Sequence, residues 1–292
     1  MEIIRGLRSL PPLERFFFGG CAPYAHVISM IDYLMLGHIT RDLLPEGGAA
    51  PGGSSLYAAL TAHRLGHRVG IVSAQAALPA GWPEAIELVW TAAATPPTFE
   101  NLYGAEIRTQ LIHTVAPPIA IVDIPIEWIH APIVHLGPVL QEIPEQLVHA
   151  FPGAFVGVTP QGWMRRWDIT MPSVVHATPW KPSAAVLHAI DALVLSIEDV
   201  HGNVGVAAAY TAHCPLVALT RGANGATLFI DGVPVEIAAV PVHEHDPTGA
   251  GDVFAATLFC RLHAGDTPIE AAHVAARVAA TSVGASGPNG LL

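Results

Sequence analysis

The sequence predicts an α/β fold in which helices cover both faces of a mostly parallel sheet. Short apolar segments of strand type alternate with helical segments along the chain, which is the pattern of successive βαβ units. Several of these apolar segments are continuous rather than alternating, as expected for strands buried on both faces. Of the 292 residues, 51% are hydrophobic and only 13% are charged, so the chain can bury a large core.

The individual elements follow from local patterns. Seven short apolar runs are predicted as strands: residues 33–39, 68–74, 87–92, 133–139, 154–158, 192–196 and 215–220. Six segments have helical patterns: residues 54–65, 144–150, 183–189, 198–212, 250–264 and 268–283. Residues 225–240 are predicted to form a hairpin, because two apolar runs flank the turn sequence Asp231-Gly232.

Two segments depart from the βα repeat. Residues 41–51 are short and rich in Gly and Pro, and residues 97–115 alternate like two strands around Gly104-Ala105. Both are interpreted as parts of a small lid beside the main sheet. Because the sequence contains no internal repeat and no low-complexity linker, residues 30–292 are predicted to be one domain with a lid.

The first 29 residues are different in character. They contain scattered arginines, a Pro-Pro pair and a run of three phenylalanines, and they make a poor secretory signal. We interpret residues 1–29 either as a loosely packed extension or as the product of an upstream start codon, with Met30 as the true first residue.

Charge and cysteine usage limit the partners and the compartment. With 13 basic and 24 acidic residues the formal net charge is −11, which disfavours general binding to nucleic acid or to an anionic membrane. The three cysteines are few, odd in number and widely spaced, which indicates a reducing cytoplasm. No run of about 20 uninterrupted apolar residues occurs, so no transmembrane helix is expected.

The strongest chemical signal is a glycine-rich turn that enters a helix. Residues 246–252 read DPTGAGD and lead directly into an apolar helical run. Such a turn directs backbone N–H groups and the positive end of the helix dipole at one point, which suits a phosphoryl group. Gly249 and Gly251 allow the backbone to approach that ligand closely. We therefore expect a local binding site for an anion, even though the net charge of the chain is acidic.

Two roles are open for Asp252 in the first turn of this helix. An acidic residue there commonly stabilises the helix dipole. Alternatively, the carboxylate is a general base that accepts the proton of a hydroxyl attacking phosphorus. The residues alone do not decide between the two roles.

The DPTGAGD segment resembles the second signature of the ribokinase-like (PfkB) carbohydrate kinases. Other segments resemble that family in the same order: GHITRD at 37–42 resembles the first strand with its substrate aspartate, Gly52-Gly53 the first signature, and LTRGANG at 219–225 the nucleotide-side strand and loop. The resemblance extends from about residue 33 to the end. It implies a three-layer α/β/α sandwich with a small β lid, and ATP-dependent phosphorylation of a hydroxyl group.

The resemblance also implies roles for individual residues. Asp252 is then the catalytic base, and the N–H groups of Ala250, Gly251 and Asp252 form the anion hole within the loop that begins at Gly249. Acceptor contacts are expected from Asp42, Gly52, Gly53, Asn101, Arg108, Gln161 and Arg165. The ordinary interpretations are that Asp42 is a turn residue, that any alternating strand exposes residues such as Asn101, and that residues 161–167 are a surface loop.

On the donor side, the resemblance implies ATP with Mg²⁺. Many relatives carry Asn-x-x-Glu at the end of a central strand, and this chain has SIED at 196–199. Asp199, or alternatively Glu198, is therefore expected to act on Mg²⁺ through water, although an acidic helix start explains both residues equally. The expected nucleotide contacts are Ser196, Thr220, Arg221, Gly222, Asn224, Gly225 and Asn289. Some relatives bind a monovalent cation such as K⁺ near the second signature, where Asp246 is the candidate ligand.

The expected function is an ATP-dependent kinase acting on a hydroxyl of a small sugar, sugar acid or polyol. Two alternatives stay open: a nucleoside or vitamin-precursor kinase on the same scaffold, and a non-catalytic ligand-binding relative. The chain is expected to be a monomer or a homodimer.

Overall fold

The computed structural model describes residues 30–103 and 108–292. In chain order the strands are β1 (Tyr33–Leu36), β2 (Thr40–Leu43), β3 (Ala49–Gly52), β4 (Val69–Ser73), β5 (Glu87–Trp90), β6 (Thr98–Tyr103), β7 (Arg108–Thr114), β8 (Ile133–Leu136), β9 (Phe155–Val158), β10 (Arg165–Arg166), β11 (Ser173–Val174), β12 (His176–Ala177), β13 (Ala192–Ser196), β14 (Leu216–Thr220), β15 (Ala226–Ile230) and β16 (Val233–Ile237). The helices are α1 (Ser54–Arg64), α2 (Ala184–His188), α3 (Val204–Tyr210), α4 (Ala250–His263) and α5 (Pro268–Ser282). Short 3₁₀ helices include Glu145–His149, Pro160–Met164 and Gly287–Gly290.

The central sheet has nine strands in the order β16-β15-β14-β13-β9-β8-β1-β4-β5. From β14 to β5 every neighbouring pair is parallel, whereas β15 and β16 add an antiparallel hairpin at one edge. This hairpin is the one predicted around Asp231-Gly232. Parallel strands place their carboxyl ends at the same edge, which is where open α/β sheets bind ligands.

Helices cover both faces of the central sheet and produce three layers. One face packs against α1, α4 and α5, with buried side chains such as Leu56, Phe259 and Ala275. The other face packs against α2, α3 and the 3₁₀ helices, with Trp128 and Tyr210 in its core. The predicted α/β/α fold class is confirmed.

A close fit between α4 and the sheet fixes the height of this helix. A methyl group at Gly157 of β9 would overlap the ring of Phe259. Phe259 also packs edge-on against His135, with ring centroids 4.9 Å apart. The imidazole of His135 is hydrogen-bonded to the Tyr33 hydroxyl (2.7 Å) and to Thr159 Oγ1 (3.0 Å), and burial lowers its pKa to about 3. A neutral, fully bonded histidine therefore lies beneath α4 without the cost of a buried charge.

The lid is a separate five-stranded sheet in the order β11-β7-β6-β2-β3. Segments 41–51 and 97–115 supply four of its strands, as predicted in type, although the turn predicted at Gly104-Ala105 lies outside the described residues. The fifth strand, β11, comes from Ser173–Val174 and pairs with β7. The lid is therefore larger than the sequence analysis expected.

Two predicted elements are wrong in detail. The segment 144–150 contains a 3₁₀ helix rather than an α-helix. The helix expected over 198–212 begins only at Val204, because His201 (φ 51°) and Gly202 (φ 77°) adopt left-handed conformations that interrupt a helix. The acidic start of that segment forms a turn instead. Within residues 30–103 and 108–292, no helix has the length and apolar character needed to cross a membrane.

Candidate active site

The glycine-rich turn of residues 246–252 forms the N-terminal end of α4. Gly249 is the N-cap residue and has a left-handed conformation (φ 78°), which glycine adopts at little cost. The N–H of Ala250 donates to Pro247 O at 3.1 Å, and the N–H of Val253 donates to Gly249 O at 2.9 Å. Because the first turn of a helix has no intrahelical acceptors, the N–H groups of Gly251 and Asp252 remain as donors for a ligand.

Space for a ligand lies in front of these donors. A Cβ atom built on Gly251 meets no other atom within 4 Å. Oriented N–H groups beside open space at a helix N-terminus form a binding site for an oxyanion. One correction to the expected anion hole follows, since the N–H of Ala250 is already used within the turn.

The carboxyl group of Asp252 is partly buried at this helix end. Desolvation is the largest influence on its acidity and raises its pKa to about 6, and the negative charge of Asp199 acts in the same direction. A hydrogen bond with Ser54 and the positive charge of Arg165 oppose the increase. A carboxylate with a pKa near 6 is ionised at neutral pH and is a better proton acceptor than an ordinary aspartate.

Asp246 at the start of the loop has a different environment. Burial opposes its ionisation, but hydrogen bonds from Thr248 and from the N–H of Gly287 outweigh burial and lower its pKa. The N–H of Thr248 donates to Oδ1 at 2.9 Å and the N–H of Gly287 donates to Oδ2 at 2.8 Å. Asp246 thus ties the loop to the C-terminal segment of the chain.

On the lid, Asp42 faces the first pair of glycines. It lies within β2 rather than in a loop after a core strand, and it accepts a hydrogen bond from Thr40 Oγ1 at 2.8 Å. A methyl group at Gly52 would overlap the Asp42 carboxylate, and one at Gly53 (φ 88°) would lie 2.9 Å from His38 O. Both glycines therefore allow the lid strand and the start of α1 to meet.

Tyr57 is a residue of this region that the sequence analysis missed. It is only 4% exposed, and burial together with the charges of Asp246, Asp42 and Asp252 raises its pKa well above the ordinary value. Its ring lies against the Cα of Gly249, since a Cβ there would overlap the ring. An aromatic residue on an apolar helix face resembles ordinary core, so its local sequence gave no signal. Tyr57 places the acceptor-side helix next to the anion-binding loop.

Gln161 and Arg165 lie near the same carboxylates. Gln161 Nε2 donates to Asp199 Oδ1 at 3.4 Å. Arg165 Nη1 donates to Val139 O at 2.8 Å, and its guanidinium carbon lies 5.8 Å from the ring centroid of Phe99 on the lid. Since the charge of Arg165 also acts on Asp252, this arginine lies between the lid and the helix end.

The turn of residues 196–199 holds its carboxylate firmly. Asp199 Oδ2 accepts hydrogen bonds from the backbone N–H and the Oγ of Ser196, both at 2.8 Å. The side chain of Glu198, the alternative candidate, is exposed. The negative charge of Asp199 acts on Asp252, which places both carboxylates at one end of the sheet.

Comparison with known proteins shows which proteins this chain resembles. The family model for "pfkB family carbohydrate kinase" matches residues 195–292. A solved pyrophosphate-dependent kinase of the ribokinase family, complexed with a pyrophosphate analog and myo-inositol, has a TM-score of 0.72 at 18% identity and covers 86% of this chain and 94% of its own. The chain therefore has the fold of ribokinase-family kinases, and its residues 195–292 match the PfkB family model.

Two further comparisons show the range of kinases that this chain resembles. The ribokinase of Arabidopsis thaliana, solved with ribose and ATP, has a TM-score of 0.63 at 18% identity and covers 89% of this chain and 94% of its own. The cytidine kinase of Thermococcus kodakarensis is 27% identical over 252 residues, which is 77% of this chain and 86% of the relative. The proteins that this chain resembles are thus kinases, that is, phosphotransferases.

The expected nucleotide side of the chain is only partly open. Arg221 forms an ion pair with Glu236 of β16, and its N–H donates to Gly225 O at 2.7 Å. A methyl group at Gly225 (φ 80°) would overlap Ile237 O, so this glycine brings two parts of the hairpin together. Thr220 Oγ1 donates to Leu195 O at 3.4 Å. The side chains of Arg221 and Thr220 are therefore already bonded to other parts of the protein.

The remaining predicted residues lie in exposed turns or on the lid. Gly222 and Asn224 are exposed in a 3₁₀ turn after β14, and Asn289 is exposed in the 3₁₀ helix Gly287–Gly290. On the lid, Asn101 Oδ1 accepts a hydrogen bond from Gln110 at 3.1 Å. The side chain of Arg108 lies outside the described part of the structure.

Proposed function

We propose that this chain transfers a phosphoryl group from ATP to a hydroxyl group of a small sugar, sugar acid or polyol. The observation that carries the proposal is the arrangement at α4, where a carboxylate with a pKa of about 6 stands next to two outward N–H donors. Proton acceptance and stabilisation of phosphoryl charge are the two requirements of this transfer.

In the proposed reaction Asp252 accepts the proton of the attacking hydroxyl. The N–H groups of Gly251 and Asp252, at the positive end of α4, stabilise the negative charge of the transferring phosphoryl group. Arg165 contributes positive charge from the opposite side. Because the phosphoryl transition state requires mainly positioning and charge stabilisation, these groups supply what the reaction needs.

The residues present also fit a role for Mg²⁺. Mg²⁺ keeps several waters and is usually held by one or two carboxylates together with substrate phosphates. Asp199, fixed by Ser196 and close enough to influence Asp252, is the carboxylate that would hold it on the donor side. When bound, the ion would neutralise negative charge on the phosphates. K⁺ at Asp246 stays a prediction, since both oxygens of this carboxylate accept backbone hydrogen bonds.

On the acceptor side, Asp42 is the group we assign to substrate hydroxyls. It is ionisable, it lies on the lid against Gly52 and Gly53, and carboxylates form strong, directional bonds with hydroxyl donors. The myo-inositol complex of the pyrophosphate-dependent neighbour supports a polyol acceptor. Asn101 and Gln161 are proposed as further polar contacts.

A second candidate is a nucleoside acceptor on the same site. It is favoured by the cytidine kinase of Thermococcus kodakarensis, which matches over 86% of its own length. The two candidates share the phosphoryl-transfer machinery and differ only in the group that Asp42 and the lid receive.

The test is a turnover assay over both donors and both acceptor classes. Purified protein with Mg²⁺ is incubated with ATP or pyrophosphate and with sugars, sugar acids, inositols and nucleosides, and phosphorylated product is detected by mass spectrometry. We expect ATP-dependent phosphorylation of a polyol, absent in Asp252→Asn. Transfer from pyrophosphate but not from ATP would contradict the proposed donor. A preference for nucleosides would contradict the proposed acceptor class. If no product forms with any combination, the proposed activity is wrong.

A further inference from the structure

A buried carboxylate outside the site has no assigned role. Glu142 is 3% exposed and follows the turn of residues 137–141 after β8. It accepts hydrogen bonds from the N–H groups of Val139 (Oε1, 2.9 Å), Leu140 (Oε2, 2.7 Å) and His38 (Oε1, 3.4 Å). Burying such a group is costly unless it is well bonded, so its three donors define the shape of this turn.

The turn that Glu142 shapes holds Arg165 at two points. Val139, whose N–H is bonded to Glu142, accepts the Arg165 guanidinium through its carbonyl at 2.8 Å. Gln141, two residues after Val139, donates through Nε2 to the backbone carbonyl of Arg165 at 2.6 Å. The Val139 carbonyl shares a peptide group with the Leu140 N–H, so a rotation of this group would break the bond from Leu140 to Glu142 and the bond from Arg165 to Val139.

The same carboxylate is connected to the base of the lid. His38 directly precedes the lid residues, and its Nε2 is 3.0 Å from Pro117 O, in the segment that leaves the lid. Its Nδ1 accepts a hydrogen bond from the N–H of Ala74 at 2.9 Å. The backbone carbonyl of Glu142 also accepts the N–H of Ile119 at 2.8 Å. The two chain segments entering and leaving the lid therefore meet at Glu142.

Close packing leaves this turn little freedom to move. The N–H of Gly162 donates to Pro138 O at 2.8 Å, and a Cβ at Gly162 would lie 2.6 Å from that same oxygen. The 3₁₀ helix Pro160–Met164, which directly precedes Arg165, is thus packed on the turn that Glu142 defines.

We infer that Glu142 is a positioning residue for phosphoryl transfer: its carboxylate fixes the 137–141 turn so that Arg165 is held between the lid and the Asp252 carboxylate. The inference rests on the proposed function of Arg165. Glu142 itself touches neither substrate. It acts by orienting the Val139 carbonyl, and it links the lid base to the arginine.

The test compares Glu142→Gln with Arg165→Met. The Gln variant keeps the size of the side chain but turns an NH₂ group toward backbone N–H donors. We expect kcat/KM for the acceptor to fall about 10- to 100-fold, since small misplacements of catalytic groups have effects of this size. Glu145→Gln is the matched control. Glu145 lies three residues after Glu142 but accepts its hydrogen bond from Trp180, so this substitution should leave kcat/KM unchanged.

A readout independent of turnover separates positioning from general damage. The pKa of Asp252 is followed by ¹³C NMR of labelled aspartate in the folded variants. The charged and titratable groups around Asp252 are Asp199, Arg165, Tyr57 and Tyr33. Since Arg165 lowers this pKa, Glu142→Gln and Arg165→Met should both raise it, and the double variant should raise it no further than Arg165→Met alone.

The outcomes are distinguishable. A folded Glu142→Gln variant with an unchanged Asp252 pKa overturns the inference, even if wild-type turnover is normal. If Glu142→Gln does not fold, the exposed Gln141→Leu replaces it; this change removes the other bond to Arg165 and should raise the same pKa by a smaller amount. No change in Gln141→Leu then overturns the inference. Absence of wild-type turnover refutes the proposed function and leaves the NMR comparison to decide on Glu142.

Discussion

The ring of Tyr57 lies against the Cα of Gly249, so that any side chain at Gly249 would overlap it. The two residues are far apart in the sequence, and they join the helix that follows the Gly52-Gly53 pair to the loop that precedes Asp252. This contact, together with the hydrogen bond between Ser54 and Asp252, helps to set the distance between the start of α1 and the N–H groups of α4.

Gly249→Ala is expected to displace the loop. Overlap with Tyr57 and the left-handed backbone should together cost about 1–3 kcal/mol of stability, and kcat should fall about 100-fold. The control is Gly66→Ala, which has a similar backbone (φ 92°) with no atom within 4 Å of its Cβ. Thermal unfolding and steady-state kinetics measure both effects. Equal stability losses in the two variants, with unchanged kcat in Gly249→Ala, would contradict the assigned contact.

Gly251→Ala should separate activity from stability. Its Cβ meets no protein atom and its backbone is helical, so the exchange should stabilise α4 by up to about 1 kcal/mol. The added methyl group enters the space assigned to the phosphoryl group, and we expect a lower kcat and a higher KM for the donor. The measurement pairs the melting temperature with donor kinetics. Wild-type donor kinetics in a stabilised variant would place the phosphate elsewhere.

Asp252→Asn should raise stability while removing most activity. The folded-state pKa of about 6 exceeds the ordinary value of 3.8, so folding binds a proton between these values and stability falls as pH rises through them. Asn avoids this cost, and we expect a gain of about 1–3 kcal/mol at pH 7 with a 10²- to 10⁴-fold lower kcat. The gain should disappear near pH 4. Denaturant unfolding at both pH values measures it, and a gain that does not depend on pH would assign it to another cause.

The pH dependence of kcat/KM should report the same carboxyl group. We expect activity to rise tenfold per pH unit on the acid side and to level off above pH 6, where Asp252 is ionised. Because the charge of Asp199 raises this pKa, Asp199→Asn should move the acid limb to lower pH, whatever it does to the maximal rate. A limb that stays in place in Asp199→Asn would remove Asp252 as the titrating base.

Gly52→Ala is expected to act on the acceptor alone. The methyl group would displace the Asp42 carboxylate, so the acceptor KM should rise tenfold or more while the donor KM stays constant. Ala49→Ser, an exposed position on the same lid strand, is the control. Parallel changes in both KM values would show that the variant disturbs the whole site rather than Asp42.

The sequence predicted the parts of this protein that depend on local pattern. The buried parallel strands, the hairpin at Asp231-Gly232 and the glycine-rich start of α4 all have periodicity or turn chemistry that a short window reveals. The strand β11 has no such signal, because its two residues join the lid only through pairing with β7. Helix α3 starts late because Asp199 and Ser196 close a turn, which the left-handed residues His201 and Gly202 follow.

Within the candidate site, prediction was limited because the sequence does not show the environment of each side chain. Asp252, Asp42 and Arg165 were found through their residue types in a family-like order. Tyr57 and Glu142 were not found, because an aromatic residue on a helix and a glutamate in a loop are common features. Only the packing on Gly249 and the three backbone donors distinguish them.

The carboxylates of Asp42 and Asp252 belong to different parts of the fold. Asp42 is part of the five-stranded lid, whereas Asp252 stands on a helix of the nine-stranded core. In the function that we propose, substrate choice therefore depends on the lid, whereas phosphoryl transfer depends on the core. Lid segments exchanged among related chains should therefore change the acceptor preference and leave the residues of phosphoryl transfer in place. The exchanged segments would have to include His38 and Glu142, whose hydrogen bonds join the lid to the core.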